Sequence, residues 1–81
     1  MKLELYTKPG CHLCAAARAT MDEVTAEFGM AWDDVDISVD ADLMDRFAEE
    51  IPVLMVDGVQ RDFWHIDPER LRRILGGIVR P

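Results

Sequence analysis

The two cysteines of the chain, Cys11 and Cys14, are the side chains best suited to covalent chemistry. They lie three positions apart in the segment YTKPGCHLC, residues 6–14. Residues three apart on a helix share one face, which brings such a pair within the Cα separation of ~4.4–6.8 Å that a disulfide requires. A bond between the two sulfurs could therefore open and close without a change of fold.

Three kinds of cysteine pair fit this spacing: a redox dithiol, part of a metal site, and an inert buried pair. A zinc site usually needs four ligands. Besides the cysteines the chain offers only His12 and His65 as nitrogen ligands, without finger spacing. A C-x-x-C motif beside a strand–helix–strand pattern favours the redox dithiol, and we expect no metal site.

The position of Cys11 predicts its role. A strand and the breaker "TKPG" precede it, so a helix should begin there, and a helix N-terminus favours a thiolate. We predict that Cys11 is the nucleophile and that Cys14, one turn inside the helix, is the buried resolving thiol. Protonated His12 is predicted to tune the ionisation of Cys11; a solvated histidine without such a role is the alternative.

The remaining sequence predicts the elements that hold this motif. A helical stripe should run from Leu13 to Phe28 and end at Gly29, and Asp40 should cap a second helix. Asp57-Gly58 predicts a hairpin turn, and Asp67-Pro68 should open a last helix that ends at Gly76. The strands are predicted at residues 2–6, 31–37, 53–56 and 59–64. This βαβαββα order predicts an α/β fold: a four-stranded mixed sheet with helices on both faces.

The composition excludes several classes of partner. The 81 residues suffice for a single domain, predicted to span 1–81. Nine basic and sixteen acidic residues give a net charge of −7, so we expect neither nucleic acid nor a membrane as a partner. We find no membrane-spanning run, and Glu4 interrupts any signal-peptide core. We therefore expect a cytoplasmic protein, and nothing in the sequence demands more than a monomer.

The strings "YTKPGC", "IPV", "VDIS" and "DPERL" resemble the glutaredoxin-like family of the thioredoxin fold. They also resemble the small glutaredoxin-like redoxins that serve ribonucleotide reductase. The resemblance implies that Pro52 is cis and that the backbone of Ile51 pairs with an extended substrate. It further implies that Lys8 holds a glutathione carboxylate and that Tyr6 lines the site. The alternatives are a proline at a strand start, a solvated Lys8, and a Tyr6 that only packs.

The sequence departs from the glutaredoxin pattern at positions that bear on substrate choice. Trp64 and His65 stand where glutaredoxins carry two glycines, and Glu50 precedes Ile51-Pro52. Bulky side chains and an added negative charge should disfavour glutathione in that groove. The predicted function is a thiol–disulfide oxidoreductase that reduces protein disulfides or relays electrons, with a disulfide-containing protein or a small thiol as its partner. Glutathione and a flavin-dependent reductase are the candidate reductants, and we expect no bound cofactor. The alternative is a binding module with a vestigial dithiol, docking through Phe63 and Trp64.

Overall fold

The computed structural model describes residues 2–78, so residues 1 and 79–81 of the predicted domain lie outside the described part. Strands and helices follow the predicted order, with one short 3₁₀ turn added after the second strand. The elements are β1 (Leu3–Thr7), α1 (His12–Glu27), β2 (Asp33–Asp36), a 3₁₀ turn (Ile37–Val39), α2 (Ala41–Phe47), β3 (Val53–Val56), β4 (Val59–Phe63) and α3 (Pro68–Ile78).

The four strands form one mixed sheet in the order β2-β1-β3-β4. β1 pairs parallel with β2 and antiparallel with β3, and β3 pairs antiparallel with β4. The hairpin turn at Asp57-Gly58 has φ values of 50° and 80°, the left-handed pair that a tight two-residue turn requires. The predicted α/β architecture is therefore confirmed.

Helices cover both faces of the sheet, and each face has its own apolar cluster. On one face α1 and α3 bury ten core residues, among them Met21, Leu54 and Leu75. On the other face α2 and the 3₁₀ turn bury Phe47 and Ile37 against Val53 and Met55, and this second cluster also contains Cys14. β3 is buried along its whole length because both clusters rest on it.

Asp40 and Asp67 begin α2 and α3 as predicted. Asp40 Oδ1 accepts from the amides of Asp42 and Leu43 at 3.0 and 3.2 Å, and Asp67 Oδ1 accepts from the amide of Glu69 at 3.0 Å. These bonds satisfy amides that the first turn of a helix leaves without partners. The sequence signals for where these helices begin were therefore sufficient.

Five predicted details are wrong. The first strand spans Leu3–Thr7 and not residues 2–6, because Thr7 still pairs with Asp36 of the second strand. Leu13 is 50% exposed, because Cys14 and not Leu13 occupies the buried position in the first turn of α1. The second strand spans only Asp33–Asp36, because Asp36 accepts from the amide of Ser38 and starts the 3₁₀ turn. The fourth strand ends at Phe63, one residue early. The last helix does not stop at Gly76 but continues to Ile78.

Asp62 on β4 is a buried carboxylate with one cationic partner. It is only 6% exposed and lines a cavity of about 410 Å³ with Arg70. Its Oδ1 accepts from the amide of Phe63 at 2.9 Å and from Arg70 Nη1 at 3.2 Å. Its Oδ2 has no hydrogen-bond partner among the described residues. Arg70 is therefore the main stabilising partner of the buried Asp62 carboxylate.

Arg70→Ala should lower the free energy of unfolding by about 1–3 kcal/mol, because it leaves a buried charged group unpaired. Urea denaturation followed by circular dichroism measures this. Arg73→Ala, on the exposed side of the same helix, is the matched control and should change stability by less than about 0.5 kcal/mol. Adding Asp62→Asn to Arg70→Ala should recover part of the loss. Equal effects of the two arginine variants would contradict this account.

Candidate active site

The dithiol lies where β1 passes into α1. Gly10 has a φ of +76°, which lets the chain turn sharply before the helix. Cys11 is the N-cap of α1, and its sulfur accepts a hydrogen bond from the amide of Cys14 at 3.2 Å. This bond provides one of the unpaired amides of the first turn with an acceptor.

The two sulfurs differ in access to solvent. Both thiols are free in this structure; Cys11 is half-buried, whereas Cys14 is 0% exposed. Burial raises the pKa of the Cys14 thiol to about 11, and the hydrogen bond and charge of Cys11 add to the rise. The backbone amide of Lys8 and the charge of Arg18 act in the opposite direction on the same pKa. Cys14 is therefore a neutral, sheltered thiol directly behind a more accessible one.

Three of the other predicted site residues lie around the dithiol. Tyr6, Cys11 and Ile51 pack in the same cluster as Cys14, and the ring of Tyr6 contacts Phe47 edge-on with 5.2 Å between centroids. The Ile51–Pro52 peptide bond is cis, as the resemblance implied, and Pro52 is fully buried. The structure thus brings Tyr6 and the Ile51-Pro52 loop to the cysteines.

The predicted roles of the Ile51 backbone, Lys8 and His12 are supported only in part or stay predictions. The amide of Ile51 donates to the carbonyl of Phe47 at 3.2 Å, so this N–H is engaged and a substrate strand would have to rely on the Ile51 carbonyl. Lys8 contributes its backbone amide near Cys14, as noted, and the role of its side chain stays a prediction. His12 is exposed at the start of α1, and its effect on Cys11 likewise stays a prediction.

A polar network next to the dithiol was not found from the sequence. Arg18 Nε donates to Asp34 Oδ2 at 2.6 Å, and the hydroxyl of the buried Thr7 donates to Asp34 Oδ1 at 2.6 Å. The network joins α1, β2 and the end of β1. The only sequence signal was the spacing of four between Cys14 and Arg18, which places both on one face of the helix.

Comparison with known proteins decides the family. The family described as "Glutaredoxin-like domain (DUF836)" matches residues 2–76, nearly the whole chain. The chain belongs to this glutaredoxin-like family.

Individual relatives agree with this assignment. A Mycobacterium tuberculosis H37Rv protein described as uncharacterized is 30% identical over 76 residues, which cover 88% of this chain and 78% of the relative. The X-ray structure of target protein XcR50 from X. campestris is 33% identical, with a TM-score of 0.79 over 93% of this chain and 96% of that one. The germline-specific thioredoxin Deadhead from Drosophila melanogaster, 13% identical, shares the fold with a TM-score of 0.65 over 95% of this chain and 79% of that one.

Within this glutaredoxin-like domain, Trp64 has an unusual backbone. Its φ is +62°, a left-handed conformation that costs an ordinary residue about 1–2 kcal/mol. Hydrogen bonds hold it beside the cis-proline loop: its amide donates to the carbonyls of Glu50 and Pro52, and its indole Nε1 donates to the carbonyl of Glu49 at 2.7 Å. The side chain remains 55% exposed and contacts the ring of Phe63 edge-on. A bulky aromatic group thus stands next to the loop that packs on the dithiol.

Two further features of the glutaredoxin-like domain concern what it could bind. Across residues 2–78, no group of three or more His, Cys, Asp or Glu side chains is placed to hold a metal ion. Over the same residues, no helix has the length and apolar character needed to cross a bilayer.

Proposed function

We propose that this protein is a thiol–disulfide oxidoreductase in which Cys11 is the nucleophile and Cys14 the resolving thiol. One observation carries the proposal: an accessible sulfur at a helix N-cap accepts the amide hydrogen bond of Cys14, whose own sulfur is completely buried. Helix N-termini activate cysteines, and burial in apolar surroundings restrains them. The two thiols therefore suit two successive steps of one exchange reaction.

In the first step, the Cys11 thiolate attacks one sulfur of a substrate disulfide. A Cys11–substrate S–S bond forms, the substrate S–S bond breaks, and the first substrate sulfur leaves as a thiolate that takes a proton from water. In the second step, Cys14 loses its proton and attacks the Cys11 sulfur. The Cys11–Cys14 bond forms and the second substrate thiolate leaves. The substrate gains two electrons, and the protein is oxidised to the internal disulfide.

The surroundings of the dithiol favour polypeptide disulfides as substrates. Tyr6 and the Ile51-Pro52 loop offer an apolar wall against which an extended chain could lie. Trp64 and Glu50 place bulk and negative charge beside that loop, which disfavours the anionic tripeptide glutathione. A reductant that supplies two electrons, such as a flavin-dependent reductase, would then regenerate the dithiol; glutathione is the other candidate.

Reduction of insulin by dithiothreitol, followed by precipitation of the free B chain, tests this function. The wild-type protein should shorten the lag before precipitation, because its dithiol relays electrons to insulin. The Cys11→Ser/Cys14→Ser double variant is the control, since it keeps the surface and lacks both thiols. If the wild type were no faster than the double variant, the proposal would fail.

A second candidate function is binding without redox chemistry. The exposed rings of Phe63 and Trp64, with centroids 5.0 Å apart, are the observation that favours it. Binding of this kind would not need either thiol. The double serine variant would then retain full activity in any cellular assay in which the protein has an effect, whereas an oxidoreductase would lose it.

A further inference from the structure

We propose that Arg18 is a positioning residue for the resolving step: its guanidinium charge favours the Cys14 thiolate, and Asp34 limits how much of that charge acts on the sulfur. The proposal rests on the function proposed above, because it assigns a role within the second step of the exchange.

The geometry places Arg18 next to Cys14 and holds it there. Both residues lie on α1 four positions apart, hence on one face a single turn from each other. Asp34 on β2 accepts from Arg18 Nε at 2.6 Å. The buried hydroxyl of Thr7, at the end of the strand that leads into the dithiol loop, fixes the other carboxylate oxygen at 2.6 Å. The guanidinium is therefore tied to the same strand that positions the cysteines.

An ion pair on the surface usually contributes little to stability, so stability alone is a weak reason for this arrangement. Cys14 is different from an exposed partner because its sulfur has no contact with water. A nearby positive charge acts more on such a group than on one exposed to water. Burial raises the pKa of Cys14, and the charge of Arg18 lowers it by a smaller amount. The pKa of Arg18 is raised chiefly by its hydrogen bond to Asp34, and the interaction with Cys14 adds to that rise.

The effect of Arg18 should be largest in the mixed disulfide, when resolution takes place. Free Cys11 raises the pKa of Cys14 through its hydrogen bond and its charge. Once Cys11 is bonded to substrate, its sulfur carries neither a proton nor a charge, so both of these influences disappear. Burial then opposes ionisation of Cys14, while the backbone amide of Lys8 and the charge of Arg18 favour it.

Stopped-flow reaction of the reduced protein with 2,2′-dithiodipyridine, an uncharged disulfide, separates the two steps. The first thiopyridone is released in a bimolecular phase when Cys11 attacks. The second is released in a phase independent of reagent concentration, when Cys14 attacks the mixed disulfide. The measurement belongs at neutral pH and low ionic strength, since Arg18 and Asp34 have side chains 37% and 39% exposed and salt screens such charges.

The variants change charge while keeping hydrogen-bonding groups. Arg18→Gln should slow the second phase about twofold to threefold. If Cys14 becomes tenfold less ionised, the stronger nucleophilicity of the more basic thiolate recovers only about half of that loss on a logarithmic scale. Arg18→Lys keeps the charge and should stay within about twofold of wild type. Asp34→Asn removes the opposing charge, and its side-chain amide can keep both hydrogen bonds, with the oxygen accepting from Arg18 Nε and the NH₂ group donating to the Thr7 hydroxyl. It should speed the phase about twofold to threefold.

Arg72→Gln is the matched control. Arg72 pairs with Glu27, thirteen residues beyond Cys14 on α1 and hence about 20 Å along the helix axis. It should leave both phases unchanged.

The opposite signs expected for Arg18→Gln and Asp34→Asn distinguish this role from structural support. If both variants slowed the second phase, or neither changed it, the inference would be overturned. If Arg18→Gln failed to fold by circular dichroism, Asp34→Asn would still decide, because only an electrostatic role predicts acceleration. A wild-type protein without a second phase would instead contradict the proposed function itself.

Discussion

Cys14→Ser should accumulate as a mixed disulfide with its substrate through Cys11, whereas Cys11→Ser should form almost none. In Cys14→Ser the first attack is intact, but no internal thiol remains to displace the substrate. Turnover should fall by about a hundredfold or more, because an external thiol must replace an intramolecular one of high effective concentration. The trapped species survives on a non-reducing gel and disappears with dithiothreitol.

Cys11→Ser removes the accessible sulfur and leaves only Cys14. Near pH 7, a thiol of pKa about 11 is ionised to about one part in ten thousand, and the sulfur is also buried. Loss of the Cys11 hydrogen bond and charge brings that pKa down, but burial keeps it above its ordinary value. Activity should therefore fall by about a hundredfold or more, because the remaining sulfur is both weakly ionised and buried. Trapping by Cys11→Ser equal to that by Cys14→Ser would reverse the assigned roles.

Limited alkylation of the reduced wild-type protein at pH 8 should modify Cys11 at least about a hundredfold faster than Cys14. Iodoacetamide reacts with thiolates, and at this pH Cys14 is ionised to about one part in a thousand. Fragment-ion mass spectrometry of the singly modified protein locates the label. Because the pKa of Cys14 is raised, its labelling should increase about tenfold per pH unit until the pH approaches about 11.

The urea-unfolded protein is the control for this labelling experiment. Unfolding exposes both thiols to water and removes the helix terminus, so the two rates should become similar. Equal labelling of the folded protein, or faster labelling of Cys14, would contradict the asymmetry on which the mechanism depends.

Local sequence signals were sufficient for most of the fold. Asp40, Asp67 and the Asp57-Gly58 turn act through bonds within a few residues, so their effect can be inferred from neighbouring letters. The two glycine predictions differ in outcome for a physical reason. Gly29 has a φ of +63° and follows the end of α1, whereas Gly76 lies inside α3. A glycine permits a helix to end but does not force it to do so.

Local sequence signals predicted only part of the candidate site. The C-x-x-C motif and the helix start identified Cys11 and Cys14, because spacing and position alone define that pair. The Thr7–Asp34–Arg18 network depends on which strand lies beside β1 and on its register, and no local pattern specifies either. The hydrogen bond from the Ile51 amide to the carbonyl of Phe47 joins the loop to the end of α2. No sequence pattern predicted this bond.

The most direct test of the account is a redox titration of the purified protein in glutathione buffers, quenched with acid, alkylated and read by intact mass. The masses separate the dithiol, the internal disulfide and the glutathione adduct. We predict a single two-electron transition between dithiol and Cys11–Cys14 disulfide, with little glutathione adduct. An abundant, stable adduct would show that glutathione is accepted despite Trp64, and a dithiol that never converts to the disulfide would contradict the proposed function.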